Sequence, residues 1–108
     1  MDPCYYHADD LKRLRTLREL KPDVFNAFVE FDRKAFEDGA LSVKTKELIA
    51  VATAHVTQCA YCIDVHTKRA KQAGATDTEI AEAIFVAMAL RAGGSWAHSA
   101  IAMQALKE

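Results

Sequence analysis

Four residues of this chain have the types and spacing to do chemistry together: Glu47, Cys59, Cys62 and His66. On a helix, Cys59 and Cys62 share a face at the i,i+3 spacing, and Cys62 and His66 share it at i,i+4. Two chemistries suit such a set. In the first, His66 takes the proton of Cys62 and Glu47 orients the ring, making a Glu-His-Cys relay that supplies the reactive thiolate. Oxidation of one thiol to sulfenic acid can then be resolved by the other, giving a disulfide that needs an external electron donor. In the second, Cys59, Cys62 and His66 ligate zinc, with His55 or Glu47 as the fourth ligand.

The elements that must hold these groups read as helices throughout. Prolines occur only at 3 and 22 and glycines at 39, 74, 93 and 94, so the intervals between breakers are helix-length. A first helix over Leu11–Leu20, capped by Asp9 or Asp10, carries leucines every third residue as a packing face. Pro22 suits the first turn of a second helix that ends before Gly39, with Phe25, Phe28, Val29 and Phe36 as a core or interface stripe.

Ser42 caps a third helix, Val43–Thr57, with Glu47 one turn inside it. The Cys59 segment opens a fourth, which runs to about Ala73 and stops at Gly74 in a left-handed cap. Thr76-Asp77-Thr78-Glu79 has the form of a capping box for a fifth, which Gly93-Gly94 should end. A sixth, Ser95 to about Leu106, carries Trp96, Ile101 and Met103 as packing residues. No period-two alternation bounded by hairpin turns and no phosphate-binding glycine loop is present. The expected fold is all-α, a compact bundle of about six helices in a single domain over residues 1–108.

Composition narrows the function. Fourteen basic against fifteen acidic side chains give a formal charge of -1, so no excess positive field calls for nucleic acid or an anionic membrane. No run of about 18 apolar residues and no signal-peptide pattern stands out, which makes a cytoplasmic protein the expectation. Three cysteines are an odd count and a poor disulfide framework; a reactive or metal-bound pair plus a spare thiol, Cys4, accounts for them better. Cys4 clusters with Tyr5, Tyr6 and His7 near the N-terminus, where a mobile segment is the simpler reading. His98 has no evident partner, and Asp64 reads as an exposed charge near a helix N-terminus. The Ala-rich helices supply little apolar area per residue, so a subunit interface is expected to supply the rest.

The thioredoxin use of C-x-x-C needs a βαβ unit that this sequence lacks. The pattern Glu47, eleven residues, Cys59-x-x-Cys62-x-x-x-His66, with the stretch Lys68 to Ala83 that follows, instead resembles the AhpD-like alkylhydroperoxidase branch of the carboxymuconolactone decarboxylase family, over about residues 22–105. The resemblance implies an all-helical subunit in homotrimers or homohexamers, no metal or organic cofactor, and reduction of a hydroperoxide substrate by the cysteine pair. It also implies re-reduction by an external dithiol, a thioredoxin-like or lipoyl-bearing protein. Carried onto this chain, Cys62 is the thiol activated through His66 and Glu47, and Cys59 its disulfide partner. Tyr61 stands where AhpD has a histidine, and His55, one turn before Cys59, is a candidate substitute for that imidazole. The redox pair argues against lactone decarboxylation, which members without it perform. Two other readings stay open: a zinc-binding helical module, and a non-catalytic oligomeric interaction protein.

Overall fold

A computed structural model of the chain describes residues 8–108; Cys4, Tyr5, Tyr6 and His7 lie outside the described residues. Five α-helices follow a 3₁₀ segment over Ala8–Leu14: α1 (Arg15–Leu20), α2 (Pro22–Ala35), α3 (Val43–Thr57), α4 (Ala60–Gln72) and α5 (Asp77–Ala105). There is no strand among the described residues.

Local capping chemistry accounts for most of these boundaries. Ser42 Oγ accepts the backbone N–H of Thr45 and starts α3, and Pro22 occupies the first turn of α2. Thr76 and Glu79 close a reciprocal capping box at the head of α5. Gly74, at φ +97°, supplies the left-handed residue that ends the α4 turn. The residue that ends α3 is less expected. Gln58 adopts φ 58° and ψ 42°, a left-handed conformation uncommon outside glycine and asparagine, and it turns the chain so that Cys59 emerges extended at the head of α4.

Three expectations are corrected. The α-helix expected over Leu11–Leu20 begins as the 3₁₀ segment and becomes α-helical only at Arg15, and Asp10 pairs with Arg13 at 3.0 Å instead of capping. The expected fifth and sixth helices are one: Gly93 and Gly94 stay helical inside α5. Glycine in a helix costs roughly 1 kcal/mol relative to alanine, and with no proline after them Gly93, Gly94 and even Ser95, a residue suited to capping, stay within the helix. The third concerns shape. The radius of gyration is 17.9 Å, with extents of 54 × 34 × 32 Å, whereas a compact domain of about 100 residues has roughly 13 Å.

The extension has a geometric origin. Helices α3, α4 and α5 pack together around Val51, Ala70, Ala75 and Ile80, with Leu48 and Ile84 against them. Lys44 Nζ meets Glu79 Oε2 at 2.7 Å near the start of both α3 and α5, and Arg91 donates to the Val56 carbonyl at 2.7 Å near the end of α3. The two helices therefore run parallel in a fixed register, with α4 returning antiparallel along α3. Since α3 ends at Thr57, level with Arg91, the rest of α5 has nothing to pack on. Trp96 is 79% exposed, and Ile101, Met103 and Leu106 are exposed with it. Helices α1 and α2 pack on each other, and the Phe stripe is only partly covered within the protomer: Phe28 is largely exposed, while Phe36 packs on His66.

By length and hydropathy alone, 1.2 over an 18-residue window, α5 would suffice to cross a membrane. Its first half is committed to the core through Ile80 and Ala87. The free portion beyond Arg91 is about 20 Å long, short of the roughly 30 Å a bilayer core requires.

Candidate functional site

The site is assembled by the hairpin of α3 and α4. Glu47 is buried, 4% exposed, on the face of α3 that also carries Val51 and Ala54. Its Oε2 lies 2.7 Å from Nδ1 of His66 on α4. A carboxylate can only accept, so Nδ1–H is the donor and Nε2 is left as the basic ring nitrogen. The ring is fixed from a second side: Phe36, the residue that caps α2, stacks on it with centroids 5.1 Å apart and planes 12° from parallel. A buried carboxylate with no partner would be costly, and here no buried side-chain polar atom among the described residues lacks one.

Cys59 and Cys62 are joined by a disulfide, with Cα atoms 5.2 Å apart. Cys59 is the N-cap of α4, and its Sγ accepts the backbone N–H of Cys62 at 3.2 Å. This is where a helix stabilises negative charge, so the arrangement favours the Cys59 thiolate whenever the disulfide opens.

The two sulfurs differ in what surrounds them. Cys62 and His66 line a cavity of about 430 Å³ whose other walls come from Phe36, Leu41 and one face of α3, including Ile49 and Ala50. Cys59 is not among its lining residues. The walls are mostly apolar; Lys46, Thr53 and Thr57 bring the remaining polar groups. The cavity is thus suited to a small organic molecule presented to Cys62 beside His66.

The structure brings the four principal residues near one another: Glu47 meets His66, Cys59 meets Cys62, and Cys62 and His66 share one cavity. The two auxiliary candidates lie elsewhere. His55 directs Nδ1 to the carbonyl of Val51 in its own helix, at 2.7 Å, and does not line the cavity. Tyr61 points its hydroxyl to Asp10 Oδ2 at 3.5 Å, linking the start of α4 to the 3₁₀ segment. Of the other residues singled out, Asp64 pairs with Lys68 at 3.0 Å and His98 meets the Gly94 carbonyl at 2.9 Å. Phe36 was legible only as part of an apolar stripe, and nothing in its spacing pointed to His66.

The zinc alternative finds no support in the geometry. Sulfurs joined in a disulfide do not ligate zinc, and no group of three or more His, Cys, Asp or Glu among the described residues is arranged to hold a metal.

Comparisons with known proteins bear on the family and the fold. The profile of the carboxymuconolactone decarboxylase family matches residues 22–105. A protein of Paracoccus denitrificans, described as uncharacterized protein 4 in the cox locus, is 51% identical over 83 residues, covering 77% of this chain and 75% of its own. An uncharacterized protein of Cupriavidus necator is 34% identical over 93 residues, with coverages of 84% and 82%. The apo crystal structure of a carboxymuconolactone decarboxylase family protein from Legionella pneumophila superposes with a TM-score of 0.75 at 34% identity, covering 96% of this chain and 93% of its own. A crystal structure from Methanobacterium thermoautotrophicum matches with a TM-score of 0.73 at 34% identity, covering 77% and 93%.

Proposed function

Because the chain belongs to the carboxymuconolactone decarboxylase family, we propose that it is a dithiol peroxidase of the AhpD-like branch, which reduces hydroperoxides through Cys59 and Cys62. The observation that carries this reading is the disulfide-forming pair set beside the Glu47–His66 couple, with Cys62 at the cavity wall.

The reaction starts from the reduced pair. His66 takes the Cys62 proton, and the thiolate attacks the terminal oxygen of ROOH. An S–O bond forms, the O–O bond breaks, and sulfur loses two electrons. The departing alkoxide collects the proton from His66 and leaves as ROH, with Glu47 balancing the imidazolium in between. The Cys59 thiol then gives up its proton and attacks the Cys62 sulfenic acid: an S–S bond forms, the S–O bond breaks, and the departing hydroxide takes up the proton that Cys59 released and leaves as water.

Re-reduction uses an external dithiol, of the thioredoxin-like or lipoyl type. Its thiolate attacks Cys62 from the cavity and expels Cys59, whose charge the N-terminus of α4 receives. A second attack within the mixed disulfide releases the reductant as its own disulfide. This dependence on a thiol donor is the reason to assign the protein to a reducing compartment, the cytoplasm.

The same reading includes assembly into a homotrimer or homohexamer. Support comes from the apolar side chains left exposed on the free portion of α5 and on the α1–α2 hairpin, far more than an isolated small domain leaves uncovered.

Turnover of cumene hydroperoxide with dihydrolipoamide tests the activity. Wild-type protein should consume the peroxide and Cys62→Ser should not. Wild-type rates from Cys62→Ser would remove the reading.

A further inference from the structure

The cavity beside Cys62 has one charged side chain in its wall that the peroxidase reaction leaves unused. Lys46 sits in the first turn of α3, half-buried, and donates to the backbone carbonyl of Glu37. Among the described residues it belongs to no ion pair, whereas its neighbour Lys44 is paired with Glu79. An ammonium has three donors, so two remain for a ligand.

Its position relative to Cys62 follows from the hairpin. Because α3 and α4 run antiparallel and His66 faces Glu47, Cys62, one turn earlier on α4, lies at about the level of Val51. Lys46 is then roughly 7 Å away along the α3 axis, on the same cavity face as Ile49, Ala50 and Thr53. Between the cation and the thiol the wall is almost entirely apolar.

Resting on the peroxidase reading, we propose that the cavity selects a hydroperoxide that carries a carboxylate at the far end of an apolar chain, with Lys46 binding the carboxylate while the peroxide meets Cys62. The apolar wall gives the chain a surface to lie against, and the separation of Lys46 from Cys62 sets its length. Hydrogen peroxide would use neither feature. Lys46 acts here as a specificity residue and takes no part in breaking the O–O bond.

The test measures oxidation of pre-reduced protein, without any reductant, as the second-order rate constant for thiol loss. The probes are 8-hydroperoxyoctanoic acid and its methyl ester, which differ only in charge. Wild-type protein should react with the acid about five- to tenfold faster than with the ester. Lys46→Met should bring that ratio close to one and Lys46→Glu should invert it, while Lys46→Arg, which keeps the charge, should preserve it. Equal rates for acid and ester in the wild type, or a preference that survives Lys46→Met, would overturn the assignment while leaving the peroxidase reading intact. Failure of acid, ester and hydrogen peroxide alike to oxidise the thiols would overturn both.

Discussion

His66 Nδ1 lies 2.7 Å from Glu47 Oε2, across nineteen residues of sequence and between two helices. The contact joins a nearly buried carboxylate to a ring whose opposite nitrogen is the available base. If the two residues act as one unit, their effects cannot multiply. Glu47→Gln and His66→Gln should each lower peroxide turnover by about 10²-fold, and the double variant should lose little more than either single one. Steady-state rates for the three proteins decide it. A double variant slower by the product of the two single effects would mean that they act independently.

The unequal surroundings of the two sulfurs assign them different fates. Cys59→Ser should still allow one peroxide to oxidise Cys62, and with no partner to condense with, the sulfenic acid should accumulate and be trapped by dimedone. Cys62→Ser should leave Cys59 unlabelled, because that sulfur does not line the cavity. Intact mass with peptide mapping reads both results. Dimedone on Cys59 in the Cys62→Ser protein, and none on Cys62 in Cys59→Ser, would reverse the roles.

The free portion of α5 makes a prediction about mass. Light scattering should give the wild type three or six times the 11.9 kDa of one chain. Trp96→Glu should lower that mass towards one chain; since Trp96 is 79% exposed in the protomer, the change should not disturb the helix itself. An unchanged multimer would take Trp96 out of the interface.

Acid stability should respond to Glu79. Lys44, first, and then the Thr76 backbone N–H hold its carboxyl below the usual glutamate range. The folded pKa is therefore lower than the unfolded one, so the stabilisation is fully present above the unfolded value, about 4.3, and is lost as pH falls through the folded value. Glu79→Gln keeps the form of the capping box but does not titrate. Urea midpoints should fall more steeply for the wild type than for this variant as pH drops below about 4.3. Parallel curves would mean that Glu79 contributes no pH-dependent stability.

What the sequence alone determined was what is decided within a turn or two of chain. The Ser42 cap and the Thr76–Glu79 box depend on side chains reaching backbone three residues away, and the left-handed Gly74 on the absence of a Cβ; all three stand in the structure where the local pattern put them. The spacing of Cys59, Cys62 and His66 along one helix was legible too, whereas Glu47 reaches His66 only because α3 and α4 pack against each other. Tertiary packing decided the rest. Whether α5 breaks at Gly93-Gly94 depends on a balance of about 1 kcal/mol per glycine, too small for the local pattern to decide even with Ser95 next in the chain. The exposure of its second half follows from the register that Lys44–Glu79 and Arg91–Val56 impose, pairs separated by 35 residues in sequence. Likewise Phe36 reaches His66, and the cavity opens on Cys62 and not on Cys59, only because the end of α2 meets the α3–α4 hairpin. Such contacts leave no periodic trace in the chain, since each is set by how whole helices are oriented.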